Sequence, residues 1–252
     1  MTDLDLDSGA RRVEPGRIIS EVFRIYREQA GVLLPVAVVL FGINALVGYF
    51  LRDGVLAIVA IIVSLVIATF YQGMVVQLVR DVIDGRRDSS AGDLLRSVSP
   101  VVLTLIIVSI LAGLATGIGF ILLIVPGLYL MTIWSVIAPV VVVERTGVFD
   151  SFGRSRALVK GHGWQVFGVI VLVVVLLLVV TIITAILIDA VGDAGGSAIS
   201  WALNVLTAPI TALVAAVLYF ALRVAHSEPA RPEDAVQWMP PAAPGGAPAS
   251  SR

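Results

Sequence analysis

Residues 97–143 read SVSPVVLTLIIVSILAGLATGIGFILLIVPGLYLMTIWSVIAPVVVV, 47 positions bounded by Arg96 and Glu144 without one charged side chain. A helix crosses the roughly 30 Å hydrocarbon core of a bilayer with about 20 apolar residues. The run is therefore long enough for two crossings, and Val125-Pro126-Gly127 near its middle supplies the turn between them. Working outward, stretches free of Asp, Glu, Lys and Arg also cover 29–51, 54–79, 161–188 and 194–222, apart from a break at Asp189 and Asp193. Six spans follow, at about 30–51, 55–79, 101–122, 127–143, 165–188 and 198–222. The fold class expected is all-α: a polytopic membrane helical bundle, with the six transmembrane helices paired as three hairpins.

Composition agrees with a chain that lies mostly in lipid. Hydrophobic residues make up 58%, charged residues 14%, and the mean hydropathy is +1.01, where soluble domains are about 25% charged. With no cysteine, disulfides, thiolate metal sites and cysteine nucleophiles are excluded. The acidic, polar start Met1-Thr2-Asp3-Leu4-Asp5-Leu6-Asp7 carries no apolar core, so it is not read as a cleavable signal peptide. The first dozen residues and the Pro- and Ala-rich stretch 226–252 are expected to be disordered, leaving 13–225 as the membrane domain.

Charge orients the spans. Of the 17 Lys and Arg residues, only Arg52 falls in a connection on the side opposite the termini. The rest precede span 1 (Arg11, Arg12, Arg17, Arg24, Arg27), join spans 2 and 3 (Arg80, Arg86, Arg87, Arg96), join spans 4 and 5 (Arg145, Arg154, Arg156, Lys160) or follow span 6 (Arg223, Arg231, Arg252). By the positive-inside rule both termini are cytoplasmic, in a cell membrane. The outer connections are short, the third running from Asp189 to Ser197. The inner ones carry amphipathic patterns at 17–28, 90–98 and 148–160, expected as helices lying in the headgroup plane. Ile18, Ile19, Val22, Phe23 and Tyr26 form the apolar face of the first. Leu94, Leu95 and Val98 form that of the second, which Ser90 and Asp93 open at capping-box spacing. Val148, Phe149, Phe152 and Val159 form that of the third, which Gly161 ends before Trp164. Pro139 is expected to kink span 4, with a neighbouring helix, Ser135 or Thr132 bonding the freed carbonyl.

Candidate chemistry is sparse. Asn44, Gln72 and Asn204 are polar positions inside spans. They read either as a solute path or as interhelical hydrogen bonds worth about 0.6 kcal/mol each. Gly113 and Gly117, extended by Gly119, make a GxxxG pattern that serves either packing within the bundle or a homo-oligomer. His162 and His226 show no ligand-like spacing, so no metal, cofactor or catalytic residue is expected. Short outer loops and uncharged spans leave the inner rim as the working surface. There Glu144, Arg154, Arg156, Lys160, Arg86 and Arg87 are candidates for contact with anionic lipid headgroups or a membrane partner protein. Nucleic acid is not an expected partner.

The segment from Val125 to Gly168 has further landmarks: Pro126-Gly127 with Tyr129, Pro139, Glu144, Ser155, Leu158, Lys160-Gly161 and Trp164. It resembles the membrane domain found beside some bacterial glycerophosphodiester phosphodiesterases, and related bacterial multi-span families. Gly73, Asp81 and Gly85, and Phe23-Arg24-Ile25-Tyr26-Arg27, fit the same pattern. The resemblance implies a fold and no reaction, because the catalytic barrel would need about 200 further residues. The function expected is a non-enzymatic scaffold or accessory protein at the inner leaflet. The alternative is a transporter or permease for a small or amphiphilic solute.

Overall fold

The computed structural model describes residues 14–51, 54, 56–85, 91–191 and 193–226. Nine α-helices follow one another among these residues, with no strand: α1 (Pro15–Phe50), α2 (Leu56–Ile83), α3 (Ala91–Val98), α4 (Val102–Leu122), α5 (Ile124–Ile133), α6 (Ile137–Glu144), α7 (Val148–Val159), α8 (Gly163–Val191) and α9 (Asp193–Ala225). A 3-10 turn at Ser99–Val101 joins α3 to α4. Six stretches are long and apolar enough to cross a membrane, with α5 and α6 together forming the fourth. The chain is a helical membrane protein.

Helices α2, α6 and α9 form the interior. Helix α9 packs against α1, α2, α6, α7 and α8, while α2 also meets α3, α4 and α6. Lipid tails are as apolar as leucine, so close packing rather than water exclusion must bring helices together. The buried residues fit that need. Ala212, Ala216 and Val217 on α9 let neighbours approach. On α2, a Cβ added to Gly73 would lie 2.7 Å from Val98 Cγ1 and 3.1 Å from Leu105 Cδ1. By contrast α8, the most hydropathic span, buries little and turns Val171, Leu178, Ile182 and Ile186 outward.

Several expectations are corrected. The segment 17–28 is not a separate surface helix: α1 is continuous for 36 residues, about 54 Å at 1.5 Å per residue. Its stripe Ile18, Val22, Ile25, Leu33 and Ala37 is buried within the protein, where α1 packs on α2, α8 and α9, while Arg24 pairs with Glu21 and Glu28 along the outer side. The apolar face of α3 likewise packs on protein, with Leu94 and Val98 buried. Ser90 and the side chains of Asp93 and Leu95 lie outside the described residues, as do 1–13 and 227–252. The turn in the long uncharged run is made at Leu123, which is fully extended (φ −163°, ψ 147°), and Pro126-Gly127 belong to the first turns of α5. Gly127 is held there by close approach to Gly119 and the Phe120 ring. Between spans 5 and 6 the helices themselves take up the expected loop, α8 reaching Val191 and α9 starting at Asp193.

Candidate functional site

Span 4 breaks at 134–136, three residues before Pro139. Proline has no N–H and its ring excludes the carbonyl four residues back, but it is well tolerated in a helix's first turn. The chain therefore ends α5 at Ile133 and restarts as α6, with Pro139 as its third residue. In the break the Ile137 N–H bonds Trp134 O at 3.1 Å and so leaves Ile133 O free. Of the three expected donors (a neighbouring helix, Ser135 or Thr132), it is the neighbouring helix that supplies the hydrogen bond. Ser155 of α7 donates to Ile133 O at 2.8 Å, while Thr132 bonds Leu128 O and the buried Ser135 Oγ has no partner among the described residues. Trp134 meets Phe152 edge to face, with ring centroids 4.9 Å apart. These two contacts dock α7 against the interruption.

At the end of α6 the chain reverses through Arg145, whose left-handed backbone (φ 50°, ψ 37°) is the single such non-glycine position among the described residues. A side chain there costs about 1–2 kcal/mol. The reversal sets α7 alongside Glu144. The Arg154 Nε donates to both Glu144 oxygens, at 2.9 and 3.1 Å. From α9 the Tyr219 hydroxyl donates to Glu144 Oε1 at 3.0 Å, and the Arg223 guanidinium lies 5.8 Å from the Tyr219 ring centroid. The Glu144 side chain is only 3% exposed, so this is a buried clamp joining α6, α7 and α9 rather than the exposed rim contact that the sequence suggests. Thr146 and Ser151 hydroxyls, 2.8 Å apart, close the α6–α7 link, and Asp150 favours the positive N-terminal end of α7.

The opposite face of α7 is open. Phe149, Arg156 and Lys160 are exposed at helical spacing, and Trp164 beyond the helix is 85% exposed. The buried side of α7 is Ser151, Ser155, Leu158 and Val159, with Val148 and Phe152 packed against the core, so three of the four residues of the expected apolar face turn inward and only Phe149 does not. The predicted rim residues thus separate: Glu144 and Arg154 bind each other inside, Arg156 and Lys160 face out, and Arg86 and Arg87 lie outside the described residues. Sequence reasoning missed Tyr219 and Arg223, since a tyrosine at the end of an apolar run is an ordinary interfacial feature.

The intramembrane polar residues stay apart. Asn44 accepts from Ser64 on α2 at 2.7 Å, and Asn204 donates to Ser200 O of its own helix. Gln72 is half-buried, and among the described residues no hydrogen bond joins any two of the three. Beside Gly113 and Gly117 there is open space, whereas Gly119 packs tightly on α5. No three His, Asp or Glu residues group into a metal site among the described residues, but His162 and His226, distant in sequence, stand with ring centroids 5.3 Å apart. No known protein family, curated protein or solved structure compared with this chain matches it.

Proposed function

We propose that the chain is a non-enzymatic accessory or scaffold protein of a bacterial cell membrane, with both termini cytoplasmic, that engages anionic lipid headgroups at the inner leaflet. The observation that carries this reading is the outward face of α7. It presents Arg156 and Lys160 between the exposed rings of Phe149 and Trp164, a pairing of cations with interfacial aromatics suited to phosphate-bearing headgroups. Behind it, Glu144, Arg154 and Ser155 fix α7 to the bundle, so the face is a rigid platform. Membership among the membrane domains that accompany bacterial phosphodiesterases is part of the same proposal. Native mass spectrometry of lipids retained by the purified protein tests it. Arg156→Gln combined with Lys160→Gln should reduce retained anionic phospholipid several-fold while leaving thermal stability unchanged. Equal retention would refute the assignment.

One observation favours the permease reading: span 4 is discontinuous, a feature of transporter sites, and leaves Ser135 Oγ buried and unpartnered. In this cysteine-free chain, Ser135→Cys should resist a water-soluble thiol reagent if the bundle is closed. Rapid labelling would instead reveal an aqueous path and favour transport.

A further inference from the structure

We infer that His162 and His226 form a two-histidine site for a divalent transition-metal ion, at the end of the bundle where α8 begins and α9 ends. The two rings come from opposite sides of the chain's last hairpin, separated by the whole of spans 5 and 6. Two imidazoles bound through nitrogen at about 2.0–2.1 Å to one tetrahedral ion hold their ring centroids roughly 5.2 Å apart. The observed separation is 5.3 Å, with the ring planes inclined at 60°.

The second observation is the state of the ring nitrogens. His226 Nδ1 lies 2.9 Å from Leu222 O. When Nδ1 carries the proton that this carbonyl accepts, Nε2 keeps its lone pair, the arrangement commonly found behind metal-ligating histidines. His162 Nδ1 is buried and has no partner among the described residues, so that ring has a nitrogen whose hydrogen bonding is otherwise unsatisfied, at a cost folding normally avoids. His226 is exposed, which gives an ion access from solvent, and water completes the coordination.

The neighbours in sequence, Lys160 and Arg223, are cationic. An ion held here is therefore bound by nitrogen donor strength rather than by favourable charge, which selects zinc, nickel or copper over magnesium or calcium. Bound, it would clasp the α7–α8 link to the end of α9, next to the Glu144 clamp.

The test uses the full chain, purified without a histidine tag and stripped with chelator, with thermal unfolding followed during titration with zinc, nickel or magnesium. Zinc and nickel should raise the midpoint by a few degrees at saturating concentration, and magnesium should not. His226→Gln should abolish the rise yet match the chelated wild type in its absence. No rise with zinc, or a rise that survives in His226→Gln, overturns the site. Because His162→Gln risks misfolding, its ring is read on the wild type: bound copper(II) should show hyperfine coupling to two imidazole nitrogens, reduced to one in His226→Gln. Coupling to a single nitrogen in the wild type refutes the pair.

Discussion

Glu144 shows how one carboxylate changes role with its surroundings. Exposed at a headgroup boundary, an ion pair with Arg154 would contribute at most about 1 kcal/mol. At 3% side-chain exposure, with donors from α7 and α9, it becomes a group whose partners cannot be removed cheaply. Breaking a buried pair costs several kcal/mol, and Arg154, 26% exposed, recovers part of that by hydration, so Glu144→Gln is expected to destabilise the protein by about 2 kcal/mol. Tyr219→Phe should cost about 1.5 kcal/mol, the value of a hydrogen bond to a charged group. The double variant should cost less than the two effects added, because both remove contacts with the same carboxylate. Thermal unfolding of the three variants in one detergent checks this; strict additivity would mean that the two contacts are independent. Glu144 was legible as a candidate from the sequence, since it ends the longest uncharged run. Its burial was not, because Tyr219 lies 75 residues away.

Among the elements, the interrupted fourth span depends most on a neighbour. A carbonyl freed inside a bilayer has no water to accept from, so another helix must supply the donor. Ser155 does so at 2.8 Å. Related contacts lie near the prolines of two other spans: Tyr71 donates towards Leu33 O near Pro35 at 3.4 Å, and Tyr26 towards Leu206 O near Pro209 at 3.3 Å. Hydroxyl hydrogen bonds are best at about 2.7–2.8 Å, so the three are unequal. Ser155→Ala should therefore destabilise by about 1–2 kcal/mol, and Tyr26→Phe by clearly less. Equal losses on thermal unfolding would count against this ranking. Phe152, edge-on to Trp134, completes the docking of α7, and Phe152→Asp should sharply lower the yield of folded protein. Pro139 announced an irregularity in the sequence, but not its form. A proline's cost can be met by a kink or by a new helix, and only the available donor decides between them.

For the whole molecule, the chain's lack of cysteine makes topology directly measurable. Single cysteines at Gly54 or Ile124 should react with an impermeant thiol reagent applied to intact cells. Cysteines at Phe149 or Arg156 should react only after the membrane is opened. The reverse pattern would invert the orientation drawn from the basic residues. Six apolar helices were readable from the sequence because the cost of placing a side chain in hydrocarbon accrues locally, residue by residue, and a run such as 97–143 leaves no other solution. Side-by-side relations were not readable in that way. The sequence could not show that Gly73 rather than Gly113 and Gly117 would seat a neighbouring helix. Nor could it show that α3 and the start of α1 would bury their apolar faces in protein, or that His162 would meet His226. In a membrane the apolar faces of helices are nearly equivalent towards lipid, so hydropathy does not choose among them. Shape and hydrogen bonding between distant residues make that choice, and they exist only once the helices are packed.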